Sequence, residues 1–294
     1  MKTKLINGKA IAKMIRQEIA NEVDLFIQNG HAPPHLSAVI VGDDAASQVY
    51  VRNKGKACES VGMTHNTIQL SKNTSSAELI TVIQSLNNDN RVSGILVQLP
   101  LPKKIVVSEI LSAIDINKDV DGLSNHSLGA LLKGELSFVP ATPLGIRELL
   151  VRSDIAIPGK HVVVVGRSML VGKPIAALLS LKSNIGDATV TLAHSATNNL
   201  KQITKSADIL IVAAGIPYLI DGSMIKDGAV VIDVGINRVD DNSEKGYKLI
   251  GDVDLDSIMS IASLVTPVPG GVGPMTIAMI VSNTLQAAKV LQSG

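Results

Sequence analysis

Residues 160–165 (KHVVVV), 208–213 (DILIVA) and 229–234 (AVVIDV) are short apolar runs with little alternation, and 188–192 (ATVTL) is read as an apolar strand with them. A strand wetted on one side alternates apolar with polar residues, whereas a continuous apolar run of this length suits a strand covered on both faces, as in a parallel α/β sheet. Helical stretches at 174–182 and 199–206 separate the runs, so the second half of the chain reads as a doubly wound unit. The first half shows its own alternation. Ile11, Met14, Ile15, Ile19, Val23 and Phe26 recur at helical spacing, closed by Asn29 and Gly30. A strand at 36–41 stops at Gly42, Asp43 and Asp44, and a helix carrying Tyr50 runs on to about residue 61. Strand-like 65–70, a helix at 77–87 and a strand at 94–99 follow. A Pro-containing stretch at 139–143 divides the two series, and a Gly and Pro-rich segment at 268–274 leads into a last helix over 275–291, expected to pack back on the first domain. No internal repeat is present, and residues 240–246 read as a polar loop insertion. The expected division is a first domain of 1–140 with 275–294, and a second of 141–274.

At 294 residues with 46% hydrophobic side chains, the chain can bury two medium cores. A formal charge of +1, with Lys and Arg scattered rather than clustered, leaves no footprint for nucleic acid or an anionic membrane, so the expected partner is a small molecule. A single cysteine, Cys58, excludes an internal disulfide and reads as a small core residue on the Tyr50 helix. The opening MKTKLINGKA has no apolar leader, and no segment approaches an uninterrupted apolar span of about 18 residues, so a soluble cytoplasmic protein is expected. The six histidines show no metal-ligand spacing, and no metal site is indicated.

Only 2% of the residues are aromatic, which makes Tyr50 conspicuous in QVYVRNKGK, one helical turn before Lys54. Side chains four apart share a helix face. Phenol and amine therefore point into one space. Ligands of parallel sheets bind at the carboxyl ends of strands, where Asp43 and Gln98 fall. Gln98, in VQLPLP, is either a satisfied core amide or one aimed into a cleft. Asp119 and Asp121, in NKDVDGL, form a carboxylate pair for proton transfer, a metal clip, or a polar turn before Gly122. In the second half, VVVVG runs into RSMLVGKP and a helix, the place of a Rossmann phosphate loop, although Ser168 stands at the central glycine position. NAD enzymes end the next strand with an acidic residue for the ribose. Here that strand is followed by Ala193, His194 and Ser195, and with Arg167 in the loop the site offers donors and a cation suited to a 2′-phosphate. The alternative is that Arg167 is a surface charge and His194 a satisfied core group.

Taken in order, VGDDAASQVYVRNKGKACESVGM, GILVQLPLP, KDVDGL, VPATPLGI, VVVVGRSMLVGKP, ADILIVAAG, VIDVGIN, GDVD and TPVPGGVGPMT resemble the signatures of the bifunctional methylenetetrahydrofolate dehydrogenase/cyclohydrolase (FolD) family along nearly the whole chain. The resemblance implies an N-terminal α/β folate-binding catalytic domain and a C-terminal Rossmann-type NADP domain. It further implies Lys54 as the central catalytic group, Tyr50 packing against the folate, Gln98 bonding the lysine and Asp121 anchoring the pterin. Val97, Leu99 and the segment Pro269, Gly270, Gly271, Val272 and Gly273 would line the substrate site. Thr142, Gly166, Arg167, Ser168, Ser195 and Ile236 would contact NADP. A homodimer acting on tetrahydrofolate derivatives is implied as well. Ala141 and Ala193 stand where many relatives carry Cys, which the chemistry does not need. A short-chain oxidoreductase also spaces Tyr and Lys by four, but there the pair follows the Gly-rich loop; here it precedes it. A catalytically silent nucleotide-binding module is a second alternative, against which the joint presence of Lys54, Gln98 and Asp121 argues.

Overall fold

The structure, a computed structural model, describes residues 3–135, 138–242 and 246–293. In chain order its elements are β1 (Lys4–Leu5), α1 (Gly8–Gln28), β2 (His35–Val41), α2 (Ala45–Glu59), β3 (Thr64–Leu70), α3 (Ser76–Asn87), β4 (Gly94–Val97), α4 (Val107–Ser112), α5 (Asn125–Lys133) and α6 (Ala141–Arg152). There follow β5 (His161–Val165), α7 (Gly172–Ser180), β6 (Thr189–Ala193), α8 (Leu200–Thr204), β7 (Ile209–Val212), β8 (Val230–Asp233), β9 (Asn237–Asp240), β10 (Tyr247–Ile250), α9 (Leu255–Ile258), β11 (Leu264–Val265) and α10 (Val272–Ser293). The chain divides into two units, Lys13–Ala141 with the residues from Ile277 on, and Thr142–Thr276 with the stretch ending at Ala12.

The unit containing Lys13–Ala141 is built on a three-stranded parallel sheet of order β3-β2-β4, with Val39 opposite both Ile68 and Val97. The central strand β2 is buried from Leu36 to Val41, as the apolar run at 38–41 requires. Val39 and Val41 pack with Leu79 and Ile83 of α3, Ile95 and Val97 of β4, and Ile110 of α4. Fully burying one such side chain stabilises by about 1.5–3 kcal/mol. Capping fixes the helix starts. The Asp44 carboxylate accepts from the Ser47 amide at 2.7 Å to begin α2, and a reciprocal Ser75–Glu78 capping box begins α3. From Ile277 on, α10 belongs to this unit, where the buried Asn283 amide donates to the carbonyls of Val120 (2.8 Å) and Val139 (3.2 Å). The expected return of the last helix to the first domain is thus observed.

The other unit carries a six-stranded, wholly parallel sheet of order β1-β11-β8-β7-β5-β6. Its core joins Val163, Val165, Leu210, Val212, Val231 and Val265, all buried. Two features differ from the sequence reading. Residues up to Ala12, expected in the first domain, belong here because Lys4 and Leu5 pair with Leu264 and Val265. A two-residue strand carries no readable period. The strand expected over 94–99 ends at Val97: the Gln98 amide still bonds Val39, but the chain then meets Pro100, which has no N–H for the ladder. Part of the loop expected at 240–246 lies at 243–245, outside the described residues. Its flanks form the antiparallel pair β9–β10, with the Arg238 guanidinium 4.0 Å above the Tyr247 ring.

Candidate active site

In the first unit, Lys54 lies on α2 with only 7% of its surface exposed. The helix sits close over β3, for a Cβ on the neighbouring Gly55 would collide with the His65 ring. Lys54 Nζ donates to Gln98 Oε1 at 3.0 Å. Gln98 follows the last residue of β4, and its Nε2 donates to the Leu99 carbonyl at 2.7 Å, which turns the amide oxygen toward the lysine. Both ends of the Gln98 amide thus have partners, the oxygen taken by Lys54 and the nitrogen by a backbone carbonyl. Val97 is buried at the strand end, Leu99 is half-buried, and Tyr50 is 38% exposed one turn before Lys54. Desolvation of the ring pushes the Tyr50 phenol above its usual range.

Asp119 and Asp121 have separate fates. Asp119 is fully buried and accepts from the Ser124 amide (2.9 Å), the Ser127 hydroxyl (2.7 Å) and the Leu123 amide (3.3 Å), so it is committed to shaping the turn. Gly122 follows at φ +69°, where a Cβ would lie 2.7 Å from the backbone of Val139 and Pro140. This tight turn presents Asp121 without tying its carboxylate to the turn's own amides. Burial lifts the Asp121 carboxyl above its usual range, opposed by the attraction of Lys54. Burial likewise pulls the Lys54 ammonium below its usual range, opposed by Asp121. Each shift runs against the ordinary charged form, while the attraction between the two groups opposes it, so the two side chains are electrostatically coupled.

In the second unit, β5 runs into Gly166 at φ +121°, a conformation that side chains resist, and a Cβ there would collide with the Ala213 carbonyl. A Cβ on Gly172 would meet the Gly166 carbonyl, so the two glycines let the start of α7 close on the strand end. Ser168 takes the place of a central glycine by building the loop: its Oγ accepts from the Val171 amide at 3.2 Å and its carbonyl from the Lys173 amide at 3.0 Å. Arg167 and Ser168 are exposed. Beyond β6, the His194 Nδ1 accepts from the Ala196 amide (3.2 Å) and the His194 amide donates to Thr197 (2.8 Å), making His194 a turn former and leaving Ser195 exposed. No carboxylate stands at residues 193–196. A glycine cradle at a helix start, an exposed arginine and a hydroxyl fit a dinucleotide carrying an extra phosphate. Ile236, 45% exposed, lies between β8 and β9, and the Thr142 and Thr276 hydroxyls are 2.9 Å apart. Gly270 accepts from the Lys9 amide at 3.1 Å, while Val272 and Gly273 open α10.

Two buried carboxylates of this unit, Asp233 and Asp252, escape sequence reasoning. Asp233 closes the apolar strand VVID, which is the signal that could have found it; GDVD around Asp252 offers no such contrast.

Comparison with known proteins bears on the chain as a whole. Residues 6–121 match the model of the tetrahydrofolate dehydrogenase/cyclohydrolase catalytic domain, and 140–292 that of the NAD(P)-binding domain of the same family. The bifunctional protein FolD of Agathobacter rectalis is 53% identical over 285 residues, spanning 97% of this chain and 99% of that protein. The crystal structure of the FolD dehydrogenase/cyclohydrolase from Campylobacter jejuni superposes with a TM-score of 0.92 at 43% identity, covering 98% of this chain and 99% of that one. The Trypanosoma brucei methylenetetrahydrofolate dehydrogenase-cyclohydrolase, solved with NADP cofactor and an inhibitor, gives 0.94 at 39% identity with full coverage of both chains. With both family models matched in order and relatives at half identity along the whole length, this chain belongs to the tetrahydrofolate dehydrogenase/cyclohydrolase family.

Proposed function

We propose that this protein oxidises 5,10-methylenetetrahydrofolate to the 5,10-methenyl form with NADP and hydrolyses that product to 10-formyltetrahydrofolate. The observation that carries the reading is the buried Lys54 amine, held at 3.0 Å by Gln98 and coupled electrostatically to Asp121. Bound NADP supplies the hydride acceptor. Loss of hydride from the methylene bridge leaves a cation shared by two nitrogens, so the first step asks the protein for positioning rather than for a strong base. Tyr50 offers its exposed ring face to the folate, and Asp121 offers two coplanar acceptors to the pterin N–H groups. Val97, Leu99 and residues 269–273 are proposed as further substrate contacts. Thr142, Gly166, Arg167, Ser168, Ser195 and Ile236 are proposed as NADP contacts.

Hydrolysis makes a different demand. Water adds to the bridging carbon and releases one proton to solvent, and as the carbon–nitrogen bond breaks, the proton of the new hydroxyl passes to the departing nitrogen. Lys54 serves as the carrier because burial brings its amine form toward neutral pH, while Gln98 keeps its nitrogen aimed. Among the described residues no helix is long and apolar enough to cross a membrane, which is compatible with the cytoplasmic location we propose. We also propose a homodimer, which sedimentation would reveal as twice the 30.8 kDa chain mass. A coupled absorbance assay tests the function: NADPH must appear with methylenetetrahydrofolate, and the methenyl absorbance must then decay without added cofactor. Absence of either signal removes the corresponding half of the assignment.

A further inference from the structure

We propose that Asp252 is a positioning residue for the cofactor, tying the loop after β7 to the loop after β8 so that residues 213–215 and Ile236 keep the shape against which the nicotinamide half of NADP lies. The inference rests on the reading of this unit as NADP-binding. Asp252 has no exposed surface. Its Oδ2 accepts from the amides of Ala214 (2.7 Å) and Gly215 (2.8 Å), directly after β7, and its Oδ1 from the Asn237 side chain (2.8 Å) at the start of β9. A buried carboxylate is tolerated only when such donors replace its water. Three N–H groups do so here, and they come from two loops at the carboxyl ends of adjacent strands, the edge across which a dinucleotide lies in this fold.

The geometry around Ile236 separates positioning from mere support. Gly235, before it, has no room for a Cβ because the Asp252 carboxyl occupies that space, and Asn237, after it, is held by the same carboxyl. The exposed Ile236 is therefore fixed from both sides by one group. The Ala213 carbonyl also fills the space left by the missing side chain of Gly166, so the loop that Asp252 holds backs the phosphate loop as well. Asp233 anchors the support itself, accepting from the Asp252 and Val253 amides (both 3.0 Å) and from the Gly235 amide (2.9 Å).

The test uses the full-length protein and three variants, with NADPH affinity read by its fluorescence change. Asp252→Ala should raise the NADPH dissociation constant at least about tenfold, with the KM for NADP rising in step, as expected when a charged hydrogen-bond hub is lost. Hydrolysis of the methenyl substrate, which needs no NADP, should stay within about threefold of wild type. Asp252→Asn should recover most of the affinity: its oxygen can serve Ala214 and Gly215, and the Asn237 amide can turn to accept from its NH2 group. Should Asp252→Ala fail to fold, Asn237→Ala removes one of the three bonds and should still raise the dissociation constant about threefold or more. Unchanged NADPH affinity in Asp252→Ala, or in Asn237→Ala where that variant stands in, overturns the proposal. So does a parallel loss of hydrolysis and NADPH binding that Asp252→Asn does not rescue, which would make the residue a fold support only. If the wild-type protein binds no NADPH, the functional reading of the unit fails first and this proposal with it.

Discussion

Replacing Lys54 by Met removes the amine and keeps nearly the length of the side chain, so the consequences can be worked out atom by atom. Gln98 Oε1 loses the donor at 3.0 Å, and an acceptor left unpaired costs about 1–3 kcal/mol. Against that, a side chain only 7% exposed no longer has to carry a desolvated charge, and methionine packs well in irregular apolar space. Asp121 loses its attractive partner and shifts further toward its neutral form. These effects oppose one another, and the net change in stability should stay within about 2 kcal/mol. The chemical effect is not offset. Loss of a positioned proton carrier lowers a rate by about 10²–10⁴-fold. Methenyl hydrolysis in Lys54→Met should fall by that factor, while NADPH binding is retained because the phosphate loop belongs to the other unit. The assay follows the decay of methenyl absorbance and, separately, NADPH formation, on protein checked by thermal denaturation. Hydrolysis within about tenfold of wild type would remove Lys54 from its role. Loss of dehydrogenation with intact hydrolysis would invert the assignment of the two steps.

Asp121→Asn removes the charge that opposes the downward shift of Lys54, so the rising limb of the hydrolysis pH profile at saturating substrate, which follows formation of the free amine, should move to lower pH; an unmoved limb or one at higher pH contradicts the coupling. Arg167→Ala should raise the KM for NADP by about one to two powers of ten, roughly 1.4–3 kcal/mol, with little change for NAD. Equal loss of both cofactors would make Arg167 a general phosphate-loop residue. In Ser75→Ala the capping box at the start of α3 is broken, and urea denaturation should show a loss of about 1 kcal/mol with both activities intact.

The inner parallel strands were legible because burial on both faces leaves a direct trace, an unbroken apolar run such as residues 162–165, whereas β6, read in the same way at 188–192, lies at the sheet edge and is buried only at Ala193. The pairing of Lys54 with Gln98 was half legible. A polar residue at the end of an apolar strand announces that it has a partner, but nothing in the spacing of residues 54 and 98 names it. Asp119 could not be separated from Asp121 in the sequence, since the difference lies in whether the Ser124 and Ser127 donors reach the carboxylate. Asp252 was invisible for a deeper reason: two of its three donors are backbone amides, which every residue but proline carries. The place of β1 was hidden by brevity, and that of the α4 helix by its six residues, too few to display a helical period.

The strand β1 sets a condition on how this protein can be made. Lys4 and Leu5 leave the ribosome some 260 residues ahead of Leu264 and Val265, their neighbours in the sheet. The other unit faces the same delay, since the amide of Asn283 that bonds Val120 and Val139 is also a late arrival. Domains usually fold one after another as they emerge, the N-terminal one first. Here neither unit owns a continuous stretch of chain, so neither completes before its late partner emerges, and loss of residues 4–5 or of Asn283 would leave a sheet edge or a buried carbonyl without its partner. Nascent chains stalled before residue 264 should therefore resist protease less than the released protein throughout both units, a vulnerability that comes from the path of the chain rather than from any weakness in its cores.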